Sequence, residues 1–565
     1  MEEKFWWKNY DEGVPTSIDY GNTTLNDFLA NAVRDFPDRT ATIFEGASMT
    51  YRQLNEQVMR FATAMADLGL KKGDRVAIQL PNLPQFVIAF YGAQYLGATV
   101  VMTNPMYVKR ELEHILTDSE ATFMILLDSL WTNKVRPMLA KTKLKKIVVT
   151  SFKDYLPFPK NFLFPFVPAA KKAGLVVKVP SEPNVFWFKD LLRKYPANPP
   201  DNGVGPEELA TFQYTGGTTG LPKAAMLTQH NLAVNALQVA SWMSTAVRGG
   251  EVNISALPFF HSFGLTVCMN LAIHFAGTMV LIPDPRNIKN LVTAMAKYKA
   301  TLFPAVPALY TAVNNYKDIA NYDISSIKAC VSGAAPLPEE VQKQFESITG
   351  GRIAEGFGLS ESSPVTHANP LYGKRKVGSI GVPMPDTDAK IVDLEEGTKE
   401  MPQGESGELI IRGPQVMQGY WNKPEETANS LRDGWLHTGD IAQIDEDGFF
   451  FIVGRKKDMI IAGGYNIYPR EIDEILYQNP KILEAAAVGI PHPKRGETVK
   501  AYIVLKPGET ATEAEMTDWC KERLAPYKVP KLYEFREELP KSNVGKVLRR
   551  ILREEEMARQ KADTE

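Results

Sequence analysis

The strongest constraint on this chain is an alternation, sustained from about residue 25 to residue 455, of short β-branched apolar runs with longer runs of helical periodicity. Runs such as KIVVT (146–150), TMVLI (278–282) and KACVS (328–332) have strand length and lack polar alternation, as strands covered on both faces do. Strands separated by helices return to their sheet in parallel, so the pattern predicts an α/β fold of βαβ layers. Between about 390 and 455 the texture changes to glycine-punctuated strands, GELIIRG and GFFFIVG, predicting a small antiparallel section. After Arg455 the chain has room for a smaller α+β domain. One of its helices is marked by a capping-box pattern at Thr512 and Glu515, followed by Met516, Trp519, Cys520 and Leu524 at helical spacing. The expected division is 1–455 and 456–565, and a chain of 565 residues also exceeds what one core usually supports.

Two charge-free stretches raise the question of a membrane span. Residues 76–108 are broken by Pro81, Asn82, Pro84 and Gln85, and residues 252–283 contain Pro258, His261, Ser262, Asn270 and His274, which are costly in hydrocarbon. Both are expected to be buried strand–helix–strand units. Residues 155–170, YLPFPKNFLFPFVPAA, would suit a membrane surface or the roof of an apolar pocket, and a packed surface loop is the plainer expectation.

Sixty-four Lys and Arg against 66 Asp and Glu leave a net charge of -2, which argues against nucleic acid as a partner. Cys268, Cys330 and Cys520 lack the close spacing of a zinc site or disulfide framework, and the first residues lack a signal-peptide pattern. A cytoplasmic location is expected, with peripheral contact at the inner face of the membrane left open. A homodimer is left open as well.

The strongest local signal is YTGGTTGLPK (214–223), with three glycines and three threonines ahead of a lysine. Glycines let backbone N–H groups approach an anion, threonines add hydroxyl donors, and Lys223 adds charge. Pro222 and the spacing exclude a Walker A loop. A helix should follow residues 224–227, with Asn231 as its N-cap. Taken alone, the loop is as well read as a flexible turn.

Six further segments follow in order: PFFHSFG (258–264), SGAAPLP (332–338), EGFGLSE (355–361), HTGD (437–440), GRKKDMIIAGGYNIYPREIDE (454–474) and PKSNVGK (540–546). With the first loop they cover nearly the whole chain, and together they resemble the adenylate-forming superfamily of acyl-CoA synthetases, luciferases and peptide-synthetase adenylation domains. The continuous similarity is nearest to bacterial long-chain fatty-acid–CoA ligases.

The resemblance implies an ATP-dependent enzyme that makes an acyl-adenylate, releases pyrophosphate and passes the acyl group to coenzyme A, with Mg2+ as cofactor. Thr215, Gly216, Gly217, Thr218, Thr219, Gly220 and Lys223 would grip phosphate. Gly333, Ala334 and Ala335 would line the adenine pocket, and Gly356, Phe357, Gly358, Leu359 and Ser360 would complete it. Phe357 stands where the family usually has tyrosine; stacking needs only the ring face. Glu361, with Thr215, would hold magnesium, which takes few protein oxygens beside phosphate and water. Asp440 would bind the ribose hydroxyls and Arg455 ribose or phosphate oxygens, while Lys546 would stabilise the charge that grows on the α-phosphate.

The same resemblance places Phe260, His261 and Gly333 near the carboxylate and acyl entrance. It implies a mobile C-terminal domain pivoting near Lys457, with Gly463 and Gly464, in the strand-like run 461–465, leaving room for the pantetheine arm of coenzyme A. Alone, each residue has a plainer role: a turn acid, a core aromatic, a surface cation. The acid is expected to be a long-chain fatty acid; a medium-chain or aryl acid, or a non-catalytic fatty-acid-binding relative, are the alternatives.

Overall fold

The structure is a computed structural model and describes residues 4–215, 222–462, 465–492, 495–541 and 547–562. Packing divides the chain into two compact units, Met1–Asp388 with Arg412–Gly434, and Ala389–Ile411 with Trp435–Glu565. The small antiparallel section thus packs with the tail: Tyr468 lies against Gly454, where an added Cβ would come within 3.3 Å of its ring, and the Lys456 N–H donates to the Gly439 carbonyl at 2.9 Å.

Among the described residues of the first unit, an eight-stranded sheet runs in the order Gly419–Tyr420, Lys223–Thr228, Leu209–Thr215, Thr99–Met102, Arg75–Gln79, Phe123–Leu127, Lys146–Thr150, Val185–Trp187. The strands from Leu209–Thr215 onward are parallel, and the two at the other edge are antiparallel. The charge-free stretch 76–108 divides as expected, with the helix Pro84–Tyr95 between two of these strands. Pro84 opens the helix, where a missing N–H is harmless, and residues 84–94 are buried on every side.

Its polar side chains find partners accordingly. Gln85 Nε2 donates to Thr150 Oγ1 and to the Ser151 carbonyl, each at 3.1 Å, and Gln94 Nε2 donates to the Ala210 carbonyl at 2.9 Å. Among the described residues no helix is long and apolar enough to cross a membrane.

A second group of strands in this unit, Val252–Ser255, Thr278–Leu281, Thr40–Phe44 and Ala47–Thr50, connects through bridges at Leu302 and Ala305 to Ala329–Ser332, Arg352–Gly358, Val365–Ala368 and Val382–Pro383. Its core includes Ile254, Val280, Leu291, Phe303, Tyr310 and Phe345.

The helix after the threonine-glycine loop is Gln229–Trp242, and its cap is Thr228, not Asn231. Thr228 is extended, its Oγ1 accepts the Asn231 N–H at 3.0 Å, and Asn231 Oδ1 accepts the Thr228 N–H in return at 3.0 Å. A hydroxyl directly at the strand end caps the turn, and Asn231 takes the reciprocal position three residues on.

The second unit contains the antiparallel strands Trp435–Ile444 and Phe450–Arg455, followed by a sheet built on the hairpin of Ile482–His492 and Gly496–Leu505. The expected capping box at Thr512 opens the helix Glu513–Lys521, whose Met516 and Cys520 join Ile472 and Leu476 in the core. Of the strand-like run 461–465, Gly463 and Gly464 lie outside the described residues. Ile460–Ala462 and Tyr465–Ile467 pair antiparallel with Ala462 opposite Tyr465.

Candidate functional site

A hairpin starts the site. Leu209–Thr215 and Lys223–Thr228 pair with Thr215 opposite Lys223, so the sheet fixes both ends of the threonine-glycine segment. Gly216, Gly217, Thr218, Thr219 and Gly220 themselves lie outside the described residues. Tyr214 anchors the first strand by donating its hydroxyl to Asp118 Oδ2 at 2.8 Å.

Glu361 rides on the short 3-10 helix Ser360–Ser362, which the N–H of Leu359 steadies by donating to the Pro364 carbonyl at 3.1 Å. Its Oε1 accepts the hydroxyl of Tyr420 at 2.8 Å. Tyr420 belongs to the edge strand beside Lys223–Thr228, opposite Ala225. Burial first, and then the charge of Glu361, hold the Tyr420 phenol far above its ordinary range, so it stays a donor at any working pH.

The Lys223 ammonium lies 5.3 Å from the Tyr420 ring centroid and pairs with Glu426 on the helix Pro424–Ser430. One tyrosine therefore ties the expected magnesium carboxylate to the hairpin that carries Thr215 and Lys223. Sequence reasoning did not single out Tyr420 or Glu426, because neither sits in a motif that announces its partner.

The expected adenine residues lie on neighbouring strand ends. Phe357 is partly exposed and meets the buried His367 edge-on, centroids 6.2 Å apart at 69°. At Gly358 an added Cβ would stand 2.1 Å from the Pro364 carbonyl oxygen, so only glycine passes there. Gly333 is buried, with an added Cβ 3.1 Å from the Phe263 ring, and Gly356 pairs with Ala368 in the adjacent strand. Ala334 holds a left-handed φ of 69° and is exposed, with Ala335 partly exposed beside it. Such strain in a non-glycine residue, about 1–3 kcal/mol, gathers at ligand-binding turns.

Phe260 and His261 sit in a loop clamped by a residue that sequence reasoning saw only as a breaker. Asn82 Nδ2 donates to the Ser255 and Leu257 carbonyls, both at 2.8 Å, and its Oδ1 accepts the Phe259 N–H at 2.9 Å. At Gly264 an added Cβ would lie 2.2 Å from the Pro258 carbonyl oxygen, which closes the turn to any other residue. Gln213 Nε2 donates to the Phe260 carbonyl at 3.0 Å, linking this loop to the strand of Thr215. His261 Nδ1 accepts the Phe263 N–H at 3.3 Å, leaving the ring proton on Nε2. Burial pushes its pKa down to about 4, so the ring is neutral at pH 7.

In the second unit Asp440 and Arg455 face each other across paired strands. Arg455 Nε donates to Asp440 Oδ1 at 2.8 Å, and the Asp440 N–H donates to Thr438 Oγ1 at 3.0 Å. Asp440 is buried. Lys457 is exposed in the following turn, which closes when the Asp458 and Met459 N–H groups donate to the Arg455 carbonyl at 3.0 Å. Gly463, Gly464 and Lys546 lie outside the described residues.

Among the described residues no group of three His, Cys, Asp or Glu side chains is placed to hold a metal ion. Glu361 and Thr215 offer one carboxylate and one hydroxyl, a hard-oxygen set that suits magnesium when phosphate and water complete the shell.

Comparison with known proteins places these features in a wider set. Residues 29–421 match the family described as AMP-binding enzyme, and residues 471–546 match the AMP-binding enzyme C-terminal domain. The chain is 46% identical over 565 residues to a long-chain-fatty-acid–CoA ligase of Bacillus subtilis, covering 98% of this chain and 99% of the relative. It is 41% identical over 565 residues to the enzyme of the same name in Escherichia coli O6:H1, with 99% of each covered. Among solved structures, ATP-bound MatB from Rhodopseudomonas palustris aligns with a TM-score of 0.81 at 29% identity, covering 94% of this chain and 99% of that one.

Proposed function

The chain belongs to the AMP-binding enzyme family, and from that premise we propose that it is a fatty-acid–CoA ligase, long-chain in preference, working through an acyl-adenylate. The observation that carries the reading is the Tyr420 hydroxyl bond joining Glu361 to the hairpin of Thr215 and Lys223. The full-length likeness to the B. subtilis ligase supports the choice of acid and acceptor.

A carboxylate resists a thiol because oxide would have to leave. In the first half-reaction a carboxylate oxygen of the acid attacks the α-phosphorus of ATP; a P–O bond forms and the bond to pyrophosphate breaks. In the second, the sulfur of coenzyme A attacks the acyl carbon, the bond to AMP breaks, and the thiol proton is released. Neither step needs a nucleophilic side chain, so positioning and charge are the protein's contributions.

Thr215 through Gly220 with Lys223 would hold the phosphates, Phe357 would stack on the adenine, and Asp440 with Arg455 would take the ribose. Glu361, held by Tyr420, and Thr215 would hold magnesium, whose charge would balance that of the phosphates. Neutral His261 can offer its Nε2–H to the carboxylate without carrying charge. Lys546 is proposed to counter the charge of the first step, and Gly463 with Gly464 to admit pantetheine in the second, with the tail from 456 pivoting near Lys457. The same reading puts the enzyme in the cytoplasm, with peripheral contact at the membrane that dissolves its substrate and a homodimer as a state for light scattering to test.

Pyrophosphate release measured across fatty acids of increasing length and across benzoates tests the proposal. Release that rises with chain length is expected. No ATP-dependent release with any acid would end the enzyme reading, and release with benzoates alone would end the lipid one.

A further inference from the structure

The aromatic run 155–170 is not simply a packed loop; it has two faces. Leu156, Phe164 and Ala170 turn inward. Phe164 stacks on Phe152 at 5.7 Å and 20°, and Phe152 meets Phe44 edge-on at 5.3 Å, which fixes the segment to the strand Thr40–Phe44. Outward, Phe158, Phe162 and Phe166 are 83%, 68% and 67% exposed, with Leu163 and Val167 beside them at 49% and 40%. The three phenylalanines recur at every fourth residue, and the rings of Phe162 and Phe166 are 6.5 Å apart. Rings left this open on a fixed scaffold mark an interaction surface.

Charge identifies what fits it. Between Asp154 and Glu182 the sequence has no acidic residue, while it carries Lys160, Lys171, Lys172 and Lys178. Lys160 reaches the carbonyl and carboxylate of Glu45 at 3.2 and 3.4 Å, but Lys171, Lys172 and Lys178 are exposed. The short helix Pro168–Lys172 begins two residues after Phe166 and carries two of these lysines in its last turn. Aromatic rings insert at the boundary of headgroups and acyl chains, and flanking ammonium groups meet lipid phosphates.

We infer that residues 158–178 form a docking face for an anionic bilayer surface, with Phe158, Phe162 and Phe166 inserting and Lys171 and Lys172 contacting headgroups. The inference rests on the fatty-acid reading above, since such a substrate partitions into the bilayer, and it specifies the face that meets that bilayer.

Flotation of the purified full chain with vesicles of phosphatidylcholine, alone or mixed with phosphatidylglycerol, tests it. The wild type should float with mixed vesicles. Phe162→Ser with Phe166→Ser should weaken partitioning by roughly tenfold or more. Lys171→Glu with Lys172→Glu should weaken it by a similar order on mixed vesicles and little on neutral ones, an effect that added salt reproduces in the wild type. Both variants should keep wild-type pyrophosphate release with a short soluble acid in vesicle-free buffer.

A wild type that ignores anionic vesicles, or a phenylalanine variant that floats as well as the wild type, overturns the inference. So does a wild-type dimer that the phenylalanine variant dissolves without any vesicle binding, since a second copy would then be the occupant. Failure of the ligase reading registers in the vesicle-free assay and is read independently of flotation.

Discussion

Lys223 in the first unit and Arg455 in the second are both strand cations paired with a carboxylate of their own unit, yet the two pairs are built differently. Lys223 meets Glu426 on a short surface helix, and the Glu426 side chain is 46% exposed. Arg455 meets Asp440 directly across a strand pair, and the Asp440 side chain is 3% exposed. An exposed pair exchanges partners at little cost, about 1 kcal/mol or less. A buried carboxylate that loses its cation is left uncompensated, at about 3 kcal/mol or more. Lys223 is therefore suited to leave its partner for a phosphate, whereas Arg455 is committed to fixing Asp440.

The largest effect expected belongs to neither pair. If both cations serve binding, the charge of the first chemical step falls to Lys546, and Lys546→Ala should cut adenylate formation by about a hundred- to a thousandfold. Thioester formation from supplied acyl-AMP should persist in that variant, and Gly464→Leu should show the reverse; equal loss of both half-reactions in both variants would break the division of labour. Next, Arg455→Met should lower unfolding stability by about 3 kcal/mol and Lys223→Met by less than about 1 kcal/mol in urea titrations. Equal losses would erase the distinction between the pairs.

The first unit should also carry an acid sensitivity. Burial lowers the pKa of His261 and His274 to about 4, the latter helped by Arg248, and that of His367 to about 3. Below the unfolded value of about 6.5 the unfolded chain binds protons that the folded rings refuse, so stability is whole above that pH and drains as it falls toward 4. At about pH 5.5 each ring withdraws roughly 1 kcal/mol. His261→Gln should recover that share, and an unchanged slope would show that His261 takes up a proton in place. The smallest effect is kinetic: Glu426→Gln should lower the KM for ATP by up to about fivefold with kcat unchanged, by releasing Lys223. A KM that rises would make Glu426 a contributor to binding and not a competitor.

Much of this was legible beforehand. The charge-free run 76–108 announced a buried strand–helix–strand unit because its prolines and polar residues fall where the chain must turn. The helix at Thr512 announced itself through its cap, although the same logic put the cap of the helix Gln229–Trp242 three residues late, at Asn231. By composition the run 155–170 reads most plainly as packed, since composition cannot tell which side of a phenylalanine-rich segment meets the body of the protein.

The sequence by itself determined the alternation of strands and helices, the ordered motifs and hence the family, because periodicity and motif spacing are properties of adjacent residues. Only the tertiary structure decided that Tyr420 holds Glu361 across 59 positions, that Asn82 clamps the His261 loop across 177, and that Phe158, Phe162 and Phe166 face outward. Those partnerships depend on which strands lie side by side and on which face of a segment the core covers, and strand order is set by the competition of all segments for one buried volume.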